Sequence, residues 1–303
     1  MKKLILIFTF ISIFSISVLH VAGAPAPYST EEFKKYWYSG NAEITTYKLE
    51  QARYGEIHKG HAVLIFVTED FSKNKQVKLD NPAANKEDAV KILKLNLVKK
   101  FNTGIYRYSI MESVFTPVYS KSYPDTLKLT SSSQEWCGNV FTQLNLDENN
   151  YDIELFSYFE SEGDKKYQIE KTFLEDEIFT RIRLNPENLP TGNISLIPSL
   201  IVSRLKHQEI KPVRAVANLK EIPEKNEMNY SVKFPDTGRQ LNITFEKDFP
   251  YEIISWEERY KSGFGRDSKE LVTRAVRDKS VMLDYWNKNS TFDEVLREKM
   301  GIE

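Results

Sequence analysis

The chain has 303 residues, with Lys+Arg 42 set against Asp+Glu 43 and a formal net charge of -1. A balance so close to zero argues against nucleic acid as a partner, because phosphate binding needs clustered positive charge. Aromatics are plentiful (Tyr 16, Phe 18) and Gly and Pro stand at 12 each, the composition of an ordered, sheet-rich globular protein.

Lys2 and Lys3 form a short basic start, Leu4 to Leu19 is mostly apolar, and the small residues Val21-Ala22-Gly23-Ala24 follow. That order reads as an export signal over residues 1–23, which predicts a periplasmic or secreted location. Cleavage after Ala24 would leave Pro25 at the new terminus, so Gly23 is the better boundary. The remaining chain holds no further apolar run of the ~20 residues that a membrane span requires. Its single cysteine, Cys137, excludes an intrachain disulfide, and in an oxidising compartment a buried thiol is expected.

A short helix is predicted from Thr30, with Glu31 and Glu32 at its positive end, Phe33, Tyr36 and Trp37 at helical spacing, and Gly40 as its end. Strands follow. Glu43 to Arg53 leads to a turn region at Gly55 to Gly60, and His61 to Thr68 is apolar on both faces, as in a central strand. Lys73 to Asp80 reads as a further strand. Val90 to Phe101 alternates, placing Leu93, Leu95, Leu97 and Phe101 in one row with Lys91 and Lys99 near its ends. Ile105 to Val118 continues the meander. Leu127 and Leu129 lead into Ser131-Ser132-Ser133-Gln134-Glu135-Trp136-Cys137-Gly138, and Val140 to Leu146 leads out.

Tyr151, Ile153, Leu155 and Phe159 alternate with Asp152, Glu154 and Glu160, turn at Ser161 to Asp164, and return over Tyr167 to Phe173. Leu174, Ile178, Phe179 and Ile182 fall at helical spacing, closed by Asn185-Pro186. Asn185 to Asn193 is a natural hinge, dividing residues 24–189 from 190–303 as two halves of one continuous structural unit. Strands are predicted again at Ile194 to Leu205, Val213 to Leu219, Tyr230 to Phe234, Gln240 to Phe245, Tyr251 to Glu258 and Leu271 to Trp286. Pro235 to Gly238 is a turn, and Thr291 to Glu294 opens a last short helix ending at Gly301. The expected fold class is mainly β: a curled antiparallel sheet or half-barrel in two sequence halves with a few short helices.

Gln51 to Glu56, Ala62 to Glu69, Gln134 to Gly138, Tyr158 to Glu160 and Phe249 to Tyr251 carry one resemblance. Together they look like an uncharacterised family of exported bacterial proteins sometimes labelled "septum formation inhibitor Maf". The resemblance implies export and no particular activity. The Ser-x-Ser-Pro-Arg-Arg motif of Maf nucleotide pyrophosphatases has no counterpart in the chain. In architecture the order of elements is similar to curled-sheet periplasmic domains of the lipoprotein-carrier kind, half-barrels wrapped around helices with an apolar cavity.

Several constellations invite chemistry. Cys137 as a nucleophile needs a base, and beyond the signal only His58, His61 and His207 are present, none in a recognisable cysteine-hydrolase context. A small structural thiol packed beside Trp136 is the plainer expectation. Glu56-x-His58-x-x-His61 holds metal-binding residue types, but in a strand His61 points away from His58 unless Gly60 turns the chain. Acidic residues near Trp136, namely Glu135, Glu160 and Asp164, are candidates for a glycan hydrolase, with Trp136 stacking on a sugar.

No phosphate-cradling loop, Ser-centred elbow or zinc helix is present. The sequence therefore predicts a non-catalytic envelope protein that binds an apolar ligand or a protein partner in a sheet groove, with a lipid or an envelope protein as partner and no cofactor or metal. The envelope glycan hydrolase is the alternative. Glu135, Trp136, Cys137, Tyr158 and Glu160 are the candidate binding residues, and no catalytic residue is assigned.

Overall fold

The computed structural model describes residues 30–119, 121–122 and 124–302, so the expected signal over 1–23 lies outside the described residues. Fifteen strands form one curled, open sheet. The first eight are β1 (Ala42–Arg53), β2 (Glu56–Ser72), β3 (Ala89–Thr103), β4 (Tyr106–Pro117), β5 (Lys128–Glu135), β6 (Gly138–Asp147), β7 (Asn150–Ser157) and β8 (Lys165–Glu170). The others are β9 (Phe173–Leu174), β10 (Gly192–Ile197), β11 (Val213–Ile222), β12 (Glu227–Phe234), β13 (Arg239–Glu246), β14 (Ile253–Ser262) and β15 (Lys269–Leu283). The spatial order is β8-β7-β6-β5-β4-β3-β2-β1-β15-β14-β13-β12-β11-β10-β9. Neighbours are antiparallel except β9 and β10, and β1 joins β15 with Ala42 opposite Leu283. One sheet thus runs through both sequence segments.

Among the described residues four short helices accompany it: α1 (Glu31–Trp37), α2 (Ile178–Leu184), α3 (Leu200–Lys206) and α4 (Val295–Lys299). The Thr30 hydroxyl accepts the Phe33 N–H at 3.1 Å and starts α1, as the sequence suggests. One face of β1–β3 supplies Tyr47, Leu49, Leu64, Phe66, Leu95 and Leu97, which pack with Ile178 and Ile182 of α2 and Leu200 and Leu205 of α3. The curl therefore closes over its helices because they fill the apolar row that period-two alternation aims inward. On the opposite face Ala42, Ile44, Val63 and Val67 are buried beneath Tyr285, Met300 and Ile302, so β2 is apolar on both sides, as expected of a central strand.

Four local expectations are corrected. Ile194 to Leu205 is not one strand: β10 ends at Ile197, and α3 begins after Pro198-Ser199. Lys73 to Asp80 is not a strand either, and keeps only a bridge between Phe71 and Lys78. The turn expected at Gly55 to Gly60 is confined to Tyr54-Gly55, and β2 runs straight through Gly60. Glycine is needed at position 60, because a Cβ there would stand 2.2 Å from the Lys100 carbonyl on β3. The last capping box is made by Ser290 and Asp293 rather than opened by Thr291. Among the described residues no helix is long and apolar enough to cross a membrane.

Candidate functional site

The Glu135-to-Gly138 stretch is the tip of the β5–β6 hairpin. Glu135 pairs with Gly138, which leaves Trp136 and Cys137 as a two-residue turn beyond the last ladder bond. Trp136 is 72% exposed and Cys137 is exposed, so the expectation of a buried thiol packed beside Trp136, with at least one of the two buried, is overturned. The physical reason is the turn: alternation stops at Glu135, and both side chains project past the sheet. Only Glu135 turns inward. Its carboxylate accepts the Cys137 N–H at 2.6 Å and lies 3.6 Å from Arg204 Nη2 on α3. Hydrogen bonding of the thiol to Glu135, and the charge of that carboxylate, push the Cys137 pKa up. A thiol held protonated is a poor nucleophile.

Tyr158 stands at the end of β7, 69% exposed, with its ring against Gly138. Glu160 is exposed on the β7–β8 turn. The structure thus brings Glu135, Trp136, Cys137 and Tyr158 together on two adjacent hairpins, with Glu160 further along the second. Asp164 Oδ1 accepts the Ser157 N–H at 3.1 Å and is occupied within the turn.

Behind these tips lies a groove of about 740 Å³ between β6–β8 and α3. Val140, Leu155, Tyr167, Leu200 and Ile210 give it an apolar floor; Lys165, Arg204, His207 and Glu162 give it a polar side. Arg204 is nearly enclosed, its guanidinium 4.3 Å from the Phe159 ring centre. Its Nη1 is 3.4 Å from His207 Nε2, while Nε and Nη2 have no hydrogen-bond partner. Burial pulls its pKa down. His207 caps α3 in the left-handed conformation (φ 53°) and its Nδ1 reaches Glu162 at 2.6 Å. The neutral Nδ1–H tautomer satisfies both His207 contacts, donating to Glu162 and accepting from Arg204.

On the other side of α3 a smaller cavity of about 140 Å³ is lined by Arg53, Tyr54, Leu205, Tyr260 and Phe264. Below the helix is a buried charged cluster. Glu175 and Glu258 bracket Arg239, whose Nη1 and Nε donate to them at 2.8 and 2.5 Å. Glu175 and Asp176 also accept the Ser199 and Leu200 N–H groups at 3.1 and 2.9 Å, tying α3 down at its start. Asp176 is pushed up to about 7 by burial and then by Glu175, and Glu112 is raised well above the carboxylate range by burial and by Asp176. Lys99 beside them is pulled down by burial.

The void at this cluster is about 30 Å³. That admits roughly one water and no sugar ring, so these carboxyls hold α3 rather than a substrate. Glu56, His58 and His61 do not converge: β2 stays straight, and His58 Nε2 lies 3.1 Å from the Arg53 carbonyl. Among the described residues no group of three or more His, Cys, Asp or Glu is arranged to hold a metal ion.

Sequence reading passed over Arg204 because its helix read as a strand, weighed His207 only as a base for Cys137, and missed Glu112 with Asp176 because no spacing links them. Lys99 within an apolar row was the one visible sign of a buried polar cluster. No protein family, curated protein or solved structure matches the chain.

Proposed function

We propose that the protein is a non-catalytic, exported envelope protein whose curled sheet holds an apolar or amphipathic small molecule between β6–β8 and α3. The observation that carries this reading is the groove of about 740 Å³, within the size range of ligand pockets, with an apolar floor and a part-satisfied arginine at its side. An acyl or isoprenoid chain suits the floor of Val140, Leu155 and Leu200, and an anionic head suits Arg204 and Lys165. The basic start and apolar run over residues 1–23 support the location. The raised Cys137 pKa and the enclosed Glu112–Asp176 pair speak for binding rather than turnover.

Native mass spectrometry of the protein from its own envelope fraction tests the reading. A retained lipid-sized molecule is expected, lost in a Leu200→Trp variant that fills the groove. A ligand-free protein, or a ligand retained unchanged by that variant, defeats it. Capture of an envelope protein in its place moves the reading to a partner-binding groove.

A further inference from the structure

Strands β1 to β8 meander, and β14–β15 joins beside β1, so the β1–β2, β3–β4, β5–β6, β7–β8 and β14–β15 turns all lie on one rim of the sheet. Each of these five turns carries a large apolar side chain. Ile105 is 85% exposed, Trp136 72%, Tyr158 69%, Phe264 68% and Tyr54 38%. Contacts that pass through Tyr106, the neighbour of Ile105, run along this rim. Phe264 and Tyr54 are 6.0 Å apart between ring centres, the Tyr106 hydroxyl donates to that of Tyr54 at 3.3 Å, Tyr106 and Trp136 rings are 6.4 Å apart, and Tyr158 lies on Gly138 next to Trp136.

A folded protein that exposes five such side chains side by side has left them for something else to cover. We propose that this rim docks on the surface of a lipid bilayer, with the hairpin tips entering the interfacial layer. This proposal is independent of what occupies the groove.

Two observations favour a bilayer over other occupants. Tryptophan and tyrosine are the side chains enriched at membrane–water interfaces, where an apolar ring and a polar atom are both accommodated. Charges around the row are balanced: Lys59, Arg107, Lys261, Arg266 and Lys269 are exposed with Glu50, Glu56, Glu160, Asp164, Asp267 and Glu270, while Glu135 faces inward to Arg204. Entry into the interfacial layer therefore rests on the apolar side chains and needs no anionic lipid. The rings do not form a flat platform for a polysaccharide either, since Tyr106 and Trp136 are tilted by 35° and Tyr54 and Phe264 by 40°. The most exposed tip, Ile105, has no ring to stack on a sugar.

The rim also has the right neighbour. Tyr54 and Phe264 line the cavity of about 140 Å³ beside α3, so docking would bring the mouth of that cavity against the lipid.

Vesicle co-sedimentation tests the proposal, with equimolar phosphatidylcholine and phosphatidylglycerol compared with phosphatidylcholine alone. Wild type, an Ile105→Glu/Trp136→Glu double variant and a Phe292→Glu control are taken through the same export and purification, so that all share one N-terminus. Phe292 is 89% exposed but follows β15, at the opposite end of the sheet. Wild type and the Phe292 variant are expected to sediment with both kinds of vesicle. The double variant should bind at least ~10-fold more weakly with an unchanged melting temperature, because two carboxylates cannot enter the interface cheaply. Wild type that ignores both vesicles, a double variant that binds like wild type, or equal loss in the Phe292 variant overturns the proposal. So does sedimentation with an insoluble glycan instead of with lipid.

Discussion

Tyr158 rests on Gly138 so closely that a Cβ at position 138 would stand 2.5 Å from the Tyr158 Cγ and 2.7 Å from its Cβ. The glycine is the first residue of β6, and the tyrosine follows Ser157, which pairs with Val140. The clash falls on the root of the tyrosine side chain, which a rotation of the ring cannot relieve. Gly138→Ala should therefore cost on the order of 1–2 kcal/mol in urea unfolding. Tyr158→Gly, which removes the Cβ as well as the ring, should make Gly138→Ala nearly neutral when the double variant is compared with Tyr158→Gly alone, because the contact is the shared cause. Additive losses in the double variant would show that the two residues are not coupled.

Trp136 behaves oppositely to a core tryptophan. At 72% exposure its removal leaves no cavity, and Trp136→Ala should lie within ~0.5 kcal/mol of wild type rather than ~3–5 kcal/mol below it. Thermal melting separates these values easily.

Cys137, although exposed, should react with iodoacetamide more slowly at neutral pH than a free thiol, since Glu135 holds it protonated. Glu135→Gln removes the charge and should speed the labelling. A wild-type rate equal to that of a small-molecule thiol, or no acceleration in the variant, would contradict the role given to Glu135.

The strands, α1 and α2 were legible because their apolar periods are clean. Leu93, Leu95, Leu97 and Phe101 alternate and are buried, and Ile178 and Ile182 recur at helical spacing and face the core. Segment 194–205 misled because, apart from three serines, Pro198 and Arg204, it is apolar and rich in isoleucine and leucine, and it is buried over most of its length, so its composition suits a buried strand as well as a helix. Pro198-Ser199 marked the break. The candidate site was half legible: its tips lie on neighbouring hairpins that local sequence predicts, whereas Arg204 meets Glu135 only through the curl of the sheet. The expectation that at least one of Trp136 and Cys137 is buried rests on a strand continuing through them, and a two-residue turn ends that strand at Glu135.

Glu43 on β1 and Arg183 on α2 form a fully buried, bidentate ion pair, to which the Tyr36 hydroxyl donates and whose Arg183 Nε donates to the Pro250 carbonyl at 2.8 Å. Trp37 and Phe66 enclose the guanidinium with ring centres 5.1 and 5.0 Å away. Glu43→Ala leaves an unpaired buried cation and should cost ~3–5 kcal/mol. Glu43→Leu with Arg183→Met should cost clearly less than Glu43→Ala, since no charge is then stranded. Chemical denaturation of the two variants decides it, and equal losses would mean that packing rather than charge pairing matters at this position.

The Glu112–Asp176 contact makes stability depend on pH in a direction that can be worked out. Burial, then Glu175, lifts Asp176 to about 7, and burial, then Asp176, lifts Glu112 well above the carboxylate range. In the unfolded chain both ionise near ~4. Between roughly pH 4 and 7 the folded protein thus keeps protons that the unfolded chain has lost. That stabilisation is fully present below the unfolded pKa and disappears as pH rises through the folded one. Glu43 works the other way: burial alone would raise its pKa, but Arg183 overcomes this and holds it low, so its contribution is lost only in acid. From about pH 5 to 8 the Asp176–Glu112 pair should therefore lower stability, and the melting temperature with it, as pH increases, by at most ~3 kcal/mol for Asp176. Lys99 and Arg239 face the same cluster, so the comparison is made between variants. Asp176→Asn keeps an oxygen for the Leu200 N–H and supplies a fixed donor to Glu112 in place of the shared proton. It should flatten the slope between about pH 5 and 8 and be more stable than wild type at the upper end. A variant whose melting temperature follows the wild-type curve would show that this pair does not govern the pH response.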